Sequence, residues 1–210
     1  VLRYEHEMDG GWFWWGKGWC TPNEFVAFSR MEADYLREKL GKDRILFAYT
    51  PDRTWKELGK EGDGGHNFLS WYPGDDYVDI MGFDDYSIGA AQTDAENETA
   101  LASTVKKIKA VTAIAEARGK ACGLFETGVN DNPDVAYEWH YRAMTSEDCR
   151  FAFLNTWGAK TIPTTDLGKE KMVAYMAKPE VVDFPNAYFL EPMVLVNETY
   201  NVGYTKLVLG

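Results

Sequence analysis

Short strands that are apolar throughout alternate with amphipathic helices along most of this chain. Strands buried on one face alternate apolar and polar residues, whereas uniformly apolar strands are typical of parallel sheets covered on both faces. The sequence therefore predicts an α/β fold with five successive β/α units. The predicted strands are an opening apolar run and residues 44–49, 78–83, 121–125 and 149–155. The predicted helices cover residues 22–40, 94–118, 133–145 and 168–176, with a short helix at 68–72 after the second strand.

Polar or aromatic residues follow each of the predicted strands. The carboxyl ends of parallel strands meet at one edge of the sheet, and catalytic groups in such folds lie just beyond that edge. We therefore expect a single active site there. The residues that the pattern brings to this edge are His6, Glu7, Tyr49, Asp84, Tyr86, Glu126 and Trp157.

Four consecutive aromatic residues, Trp12 to Trp15, follow the first of these strand ends. Neither a helix nor a strand can bury four adjacent rings on one face, because their side-chain periods are 3.6 and 2 residues. Some of these rings must therefore face a cleft or solvent. A flat apolar ring with a polar edge is a suitable platform for a sugar. The alternative is that the rings fill the core and that Glu7 is an ordinary surface carboxylate.

Glu7 and Glu126 end two different predicted strands. A carboxylate pair without a metal-binding motif suits glycoside hydrolysis, in which one group protonates the leaving oxygen and the other attacks the sugar or activates water. The acid must be kept protonated by burial or a nearby carboxylate, and the other group must stay ionised through donors such as Tyr86 or His6. A single strand-end glutamate could equally be a salt-bridge partner, so the prediction depends on the pair and its aromatic neighbours.

The chain has a formal net charge of −11, and its lysines and arginines are scattered. This charge repels phosphate groups, which argues against nucleic acid and anionic membranes as partners but not against a neutral polymer. No apolar run is long enough to span a bilayer. The 3 cysteines and 3 histidines show neither a disulfide framework nor metal-ligand spacing, so we expect no metal and no cofactor.

Four blocks of sequence occur in a recognisable order. They are residues 6–16 (HEMDGGWFWWG), 72–79 (YPGDDYVD), 82–86 (GFDDY) and 125–128 (FETG). These blocks resemble glycoside hydrolase family 26, best known for endo-β-1,4-mannanases, and the resemblance extends from the first residue to about Trp157. It implies a (β/α)8 TIM barrel with retaining stereochemistry, an acid/base at the end of the fourth strand and a nucleophile at the end of the seventh.

The resemblance also implies a role for each residue that matches the family pattern. Glu7 resembles the general acid/base, and Glu126 resembles the nucleophile. The other matches are similar to residues that bind the sugar or orient the nucleophile, with Tyr49 the weakest of them. They are His6, Trp12, Tyr49, Asp84, Tyr86 and Trp157.

The sequence departs from the family pattern at two points. Gly158 follows Trp157 where mannanases of the family often carry arginine, which leaves β-1,3-xylan and mixed-linkage β-glucan open as substrates beside mannan. The resemblance also predicts that the first three strands of the barrel are missing, because the chain opens within an expected strand and a whole barrel needs about 250 residues. We therefore expect an incomplete barrel with the fourth to eighth strands and their helices, and this truncation could abolish activity.

Together these observations predict part of a retaining endo-β-1,4-mannanase. Residues 1–178 would form the partial catalytic barrel, and residues 179–210 a tail of unassigned role. The expected partner is β-mannan or a related neutral polysaccharide, and the family implies an extracellular or cell-envelope location. The alternative from a different functional class is a non-catalytic glycan-binding fragment.

Overall fold

In the part of the chain that the structure describes, four parallel strands form one sheet in the order β1-β2-β3-β4. The strands pair with their neighbours in sequence order, and every pair is parallel. This arrangement confirms the predicted parallel α/β sheet. The strands are β1 (Ala48–Tyr49), β2 (Ile80–Asp84), β3 (Ala121–Thr127) and β4 (Leu154–Thr156).

The opening run lies beside β1, but it forms a single parallel bridge and not a regular strand. Leu2 pairs with Phe47. The backbone N–H of Leu2 donates to the carbonyl of Leu46 at 2.7 Å, and the N–H of Ala48 donates back to the carbonyl of Leu2 at 2.9 Å. The bridge therefore extends the parallel order of the sheet to the start of the chain.

The computed structural model describes residues 1–62, 66–91, 93–128, 137–157 and 165–181. A helix follows each of β2, β3 and β4 as predicted, and a long helix and a short 3-10 helix precede β1. No helix lies between β1 and β2 in the described residues, where the short helix expected at 68–72 is replaced by turns. The α-helices are α1 (Pro22–Leu40), α2 (Asp94–Ala117), α3 (Tyr137–Met144) and α4 (Asp166–Met176), and the 3-10 helix is Lys42–Arg44. The start predicted for α3, residues 133–136, lies outside the described residues.

The first helix begins where its sequence indicates, but its buried face is narrower than expected. Thr21 and Glu24 form a complete capping box at its start. Only Phe25, Ser29 and Ala33 are buried along it. The apolar residues of the next face, Met31, Tyr35 and Leu40, are more than half exposed because no described residue covers that side of the helix.

The sheet is apolar on both faces, as uniformly apolar strands predict. One face packs against α2, which buries Leu101, Ile108, Val111 and Ala115. The other face carries a smaller cluster made of Ala48, Ile80 and Phe125, with Phe153 packed against it.

Gly82 allows β2 to lie close against β3. A β-carbon at Gly82 would lie 2.2 Å from the carbonyl oxygen of Gly123 and 2.5 Å from the ring of Phe125. No side chain can occupy that space. Glycine at this position therefore lets β2 and β3 run side by side to the edge where the site residues lie.

Most of the predicted tail lies beyond the described part of the chain. Residues 182–210, which include the β-like runs 193–196 and 204–209, lie outside the described residues. Among the helices that are described, none is long and apolar enough to cross a membrane.

Candidate active site

The carboxyl groups of Glu7, Asp84 and Glu126 converge at the edge of the sheet where β2 and β3 end. Asp84 pairs in register with Glu126, and the backbone N–H of Asp85 donates to the carbonyl of Glu126 at 2.9 Å. Glu7 comes from the loop after the opening run, where its backbone N–H donates to the carbonyl of Thr50 at 2.8 Å. One oxygen of each carboxyl group lies within 4.8 Å of an oxygen of the other two. The structure thus brings the two predicted glutamates together.

Arg3 bridges two of these carboxylates, and sequence reasoning missed it. Its guanidinium donates to Glu126 Oε1 through Nη1 and to Asp84 Oδ2 through Nη2. Its Nε donates to Thr50 Oγ1 at 2.9 Å. A buried cluster of carboxylates requires a partner cation, and the arginine in the opening apolar run was the signal that could have identified it.

Glu126 is held by donors on both of its oxygens. Tyr86 donates its hydroxyl hydrogen to Glu126 Oε2 at 2.7 Å, and Arg3 binds Oε1. His6 Nε2 lies 3.9 Å from the same Oε1. Burial and the Arg3 charge lower the pKa of His6, which favours the neutral imidazole. Donors of this kind stabilise an ionised carboxylate, which is the state a nucleophile needs.

Glu7 and Asp84 share a less favourable environment for negative charge. Burial is the main reason why the pKa of Glu7 is raised, and it also raises the pKa of Asp84 to about 9 against the effect of Arg3. Asp84 Oδ1 is buried and accepts no hydrogen bond from a donor among the described residues. The Glu7 and Asp84 carboxyl groups interact closely enough to share a proton. The pair can therefore hold a proton close to Glu126.

Glu7 also has an unusual backbone and an aromatic partner. Its φ is +52°, in the left-handed region that residues other than glycine rarely occupy. The indole Nε1–H of Trp12 donates to Glu7 Oε2 at 2.8 Å. The ring of Trp12 is 55% exposed, so it borders open space beside the carboxyl group. Such backbone outliers cluster at functional sites, where surrounding contacts hold them in place.

The sequence model described as Glycosyl hydrolase family 26 matches residues 1–160. The chain belongs to this family. Its relatives include a mannan endo-1,4-beta-mannosidase of Bifidobacterium adolescentis, 35% identical over 129 residues, which are 61% of this chain and 12% of that protein. A mannan endo-1,4-beta-mannosidase of Bacillus subtilis is 34% identical over 94 residues, which are 41% of this chain and 23% of that protein. The chain thus spans a minor part of both relatives.

Solved structures of family 26 have the same fold as this chain. The GH26C protein of a Muricauda species superposes with a TM-score of 0.71 at 30% identity, over 86% of this chain and 48% of that one. A modular endo-beta-1,4-mannanase of Cellulomonas fimi superposes with a TM-score of 0.67 at 28% identity, over 84% of this chain and 40% of that one. This chain therefore spans somewhat less than half of each known structure.

The aromatic run of this family 26 chain is divided between packing and exposure, as the side-chain periods require. Phe13 and Trp15 stack at 4.3 Å with planes 13° apart, and the ring of His6 lies 4.9 Å from Phe13. Trp15 Nε1–H donates to the backbone carbonyl of His6 at 2.9 Å. Trp12 and Trp14 are 55% and 65% exposed. The packed rings therefore orient His6, and the exposed rings are available to a ligand.

Tyr49 does not line the site, which contradicts the prediction that it contacts a sugar. Its side chain is buried, its hydroxyl donates to the carbonyl of Phe68, and its ring packs edge-on against Phe68 and Tyr72. The residue ends a strand as expected, but its ring packs in the main hydrophobic core against the turn segment 68–72 and not at the site. Strand position alone does not decide on which face a side chain lies.

Trp157 follows β4 at the same edge of the sheet as the carboxyl groups. Its backbone N–H donates to the carbonyl of Thr127, the residue after Glu126, at 2.8 Å. Its ring is 58% exposed. This placement next to the end of β3 is compatible with the expected role as an aromatic floor. Gly158, whose identity leaves the substrate open, lies outside the described residues.

The carboxyl cluster could offer three oxygen ligands to a metal ion. Arg3 already supplies a positive charge to two of the three groups, Asp84 and Glu126. A cation there would have to compete with the guanidinium. His140 is buried and its Nε2 is 2.9 Å from Thr127 Oγ1, so its ring has a structural partner. The donor set therefore fits an arginine-neutralised carboxyl cluster better than a metal centre.

Proposed function

We propose that this family 26 chain carries the catalytic carboxyl groups of a retaining endo-β-1,4-mannanase. The observation that supports this most directly is the close approach of Glu7 and Glu126, with oxygens within 4.8 Å of each other. Retaining glycosidases place their carboxyl groups about 5–5.5 Å apart, whereas inverting enzymes need about 6.5–9.5 Å to admit a water molecule. The proximity of these groups favours direct attack on the sugar by one of them.

In this mechanism Glu7 protonates the glycosidic oxygen while Glu126 attacks the anomeric carbon, which gives a glycosyl-enzyme intermediate. Glu7 then removes a proton from water, which attacks the intermediate and frees the sugar with retained configuration. The raised pKa of Glu7 suits the acid step, and the donors around Glu126 suit the nucleophile. Arg3 and Tyr86 hold Glu126 in position, and Trp12 lies beside the acid where a leaving sugar would sit.

The substrate proposed is a mannan-type polysaccharide. Relatives at 34–35% identity are named mannan endo-1,4-beta-mannosidases. The exposed rings of Trp12 and Trp157 offer apolar platforms for sugar rings, and the net charge of −11 does not disfavour an uncharged polymer. A polysaccharide is too large to cross a membrane freely, so we also propose an extracellular or cell-envelope location.

We also propose that the parallel sheet is part of a (β/α)8 barrel, with its strands corresponding to the later strands of that barrel. The in-order parallel pairing from Leu2 to β4 supports this arrangement. So does the superposition of the chain on 40–48% of two family structures. The small apolar cluster around Phe125 would then face the barrel interior.

The decisive experiment compares sugar release from mannan, β-1,3-xylan and mixed-linkage β-glucan by the native chain and by Glu7→Ala and Glu126→Ala. Each variant should lose turnover of mannan by about 10⁴-fold or more, as expected for groups that act as a unit. Glu116→Ala, an exposed glutamate on α2, is the matched control and should retain native activity. Release of the inverted anomer, detected by NMR, would contradict the mechanism, and faster hydrolysis of another polymer would reassign the substrate.

A second candidate is a glycan-binding fragment without turnover. The exposed rings of Trp12 and Trp157 favour it, because they can bind sugar whether or not the carboxyl groups act. Mannan binding that persists in Glu126→Ala, with no sugar released by the native chain, would support this function.

A further inference from the structure

We propose that Asp9 and Thr54 form a clamp that positions the general acid, by tying the loop that carries Glu7 to the segment after β1. This inference rests on the proposed role of Glu7. Asp9 is 1% exposed, and its Oδ1 accepts the backbone N–H of Asp52 at 2.8 Å. Its Oδ2 accepts the hydroxyl hydrogen of Thr54 at 3.3 Å. Asp9 does not belong to the carboxyl cluster, so its role would be positional and not chemical.

The segment of residues 50–54 to which Asp9 is tied also holds the rest of the site. The carbonyl of Thr50 accepts the N–H of Glu7 at 2.8 Å, and its hydroxyl oxygen accepts from Arg3 at 2.9 Å. The carbonyl of Pro51 accepts the N–H of Asp84 at 3.1 Å. One short segment is thus a common support for the acid, the bridging arginine and the neighbouring carboxyl group. Asp9 fixes the acid's loop to that support.

Glu7 needs such a support because its backbone conformation is unfavourable for a residue other than glycine. Glu7 has a φ of +52°, which costs a non-glycine residue free energy unless its surroundings impose it. The loop's other backbone bonds, from Gly10 to Glu7 and from Lys17 to Met8, lie within the loop itself. Asp9 follows Glu7 by two residues, a backbone span of at most about 7 Å. Fixing Asp9 therefore restricts where the Glu7 carboxyl group can lie.

Asp9 is the buried half of the clamp, and the segment that it holds is braced from the helical layer. Lys107 of α2 donates its Nζ hydrogen to the carbonyl of Arg53, within the same segment, and its ammonium group lies 5.3 Å from the ring centroid of Trp55. Its charge also acts on Asp9 and Asp52. Burial raises the pKa of Asp9 to about 7. An Asp9 carboxyl group held in these surroundings has little freedom to move, which suits a positioning residue.

The test compares Asp9→Ala with Asp9→Asn, because the asparagine side chain can still accept from Asp52 and hydrogen-bond to Thr54. Removing the clamp should lower kcat on mannan by about 10–100-fold with little change in KM, since a displacement of about 1 Å costs up to about 100-fold. Asp9→Asn should restore most of kcat. Thr54→Val removes the hydroxyl that donates to Asp9 and should lower kcat in the same way, whereas Thr54→Ser keeps the hydroxyl and should retain most of kcat. Asp76→Ala, an exposed aspartate, is the control for the loss of a carboxylate.

A second readout does not depend on turnover. The indole N–H of Trp12, assigned in an NMR spectrum with the help of Trp12→Phe, reports on Glu7 through their 2.8 Å hydrogen bond. In Asp9→Ala its signal should move or broaden, and in Asp9→Asn it should stay near the native position. If the signal behaves in this way but the native chain releases no sugar, the clamp is supported and the proposed catalytic function is rejected. The clamp would be overturned if Asp9→Ala left both the Trp12 signal and kcat unchanged. It would also be overturned if Asp9→Ala and Asp9→Asn lost equal amounts of kcat and equal amounts of stability.

Discussion

The six-membered ring of Trp12 lies directly against the α-carbon of Gly10. A β-carbon at Gly10 would come within 2.3 Å of Trp12 Cζ2, so the ring can take this position only over a glycine. From there the indole N–H reaches Glu7 at 2.8 Å. The spacing of glycine, tryptophan and glutamate in this loop therefore sets both the sugar platform and the hydrogen bond to the acid.

Gly10→Ala should displace Trp12 and lower kcat/KM on mannan by about tenfold. A hydrogen bond between neutral groups contributes about 0.5–1.5 kcal/mol, and the upper end of this range corresponds to about tenfold in rate. Steady-state kinetics measure the effect. Gly11→Ala is the matched control, because a β-carbon there meets only the Lys17 carbonyl oxygen at 3.6 Å. Equal activity in the two variants would show that the position of Trp12 does not matter.

Trp12→Phe should move the alkaline limb of the pH–activity profile to higher pH. The indole N–H stabilises the ionised form of Glu7 and so lowers its pKa, in opposition to burial. Without this donor the pKa of Glu7 rises further, and the acid stays protonated at higher pH. The profile of kcat/KM against pH measures the shift. Trp19→Phe, which changes an exposed ring, should leave the limb in place. A shift to lower pH would contradict the assignment of Glu7 as the acid.

Arg3→Met should lower the free energy of unfolding by about 3 kcal/mol at pH 7 and abolish most activity. The substitution leaves the buried side chains of Asp84 and Glu126 without the guanidinium that binds them both, and breaking a buried pair by removing one partner is costly. Urea denaturation measures the loss. Arg3→Lys keeps the charge but lacks the planar guanidinium that binds both partners. Its free energy of unfolding should therefore lie between those of the native chain and Arg3→Met.

The chain should become less stable as pH rises from about 4.5 to 8, and Glu5 should account for part of this loss. Burial, together with the neighbouring Glu32, raises the pKa of Glu5 from 4.5 to about 8. Because the folded-state pKa lies above the unfolded value, the folded chain binds more protons within this window. The stability from Glu5 is therefore present at low pH and is lost as pH rises through the folded pKa.

Glu5→Gln tests this dependence, since the amide can still accept the hydroxyl hydrogen of Ser29, which lies 3.2 Å from Glu5 Oε2. The free energy of unfolding should vary less between pH 5 and pH 8 in this variant. Asp9 and Asp84, whose pKa values are also raised, keep some dependence in the same direction. Glu116→Gln, at an exposed position, should reproduce the native pH profile. An unchanged slope in Glu5→Gln would show that Glu5 ionises normally.

Local patterns predicted the elements of this fold well. The uniformly apolar strands indicated a parallel sheet, and Thr21 with Glu24 marked the first residue of α1. The exit of each strand pointed to Glu7, Asp84 and Glu126, which the structure brings together. These predictions succeed because side-chain period and capping act over a few residues.

Two residues show where such patterns fail. Tyr49 ends a strand, yet its ring is packed into the core, because strand position alone does not select a face. Arg3 looked like a polar interruption of an apolar run, yet it bridges Asp84 and Glu126 across more than 80 positions of sequence. Neither outcome follows from a local period, since each depends on which distant side chains share the same space.

The sequence by itself determined that this chain forms a parallel α/β sheet with carboxylates at its strand ends and an aromatic loop beside one of them. Only the tertiary structure decided how those carboxylates are charged. Burial raises the pKa values of Glu7 and Asp84, while Arg3 and Tyr86 bind Glu126. Ionisation depends on the solvent that folding removes and the partners that it supplies, and both are set by contacts between residues far apart in the chain.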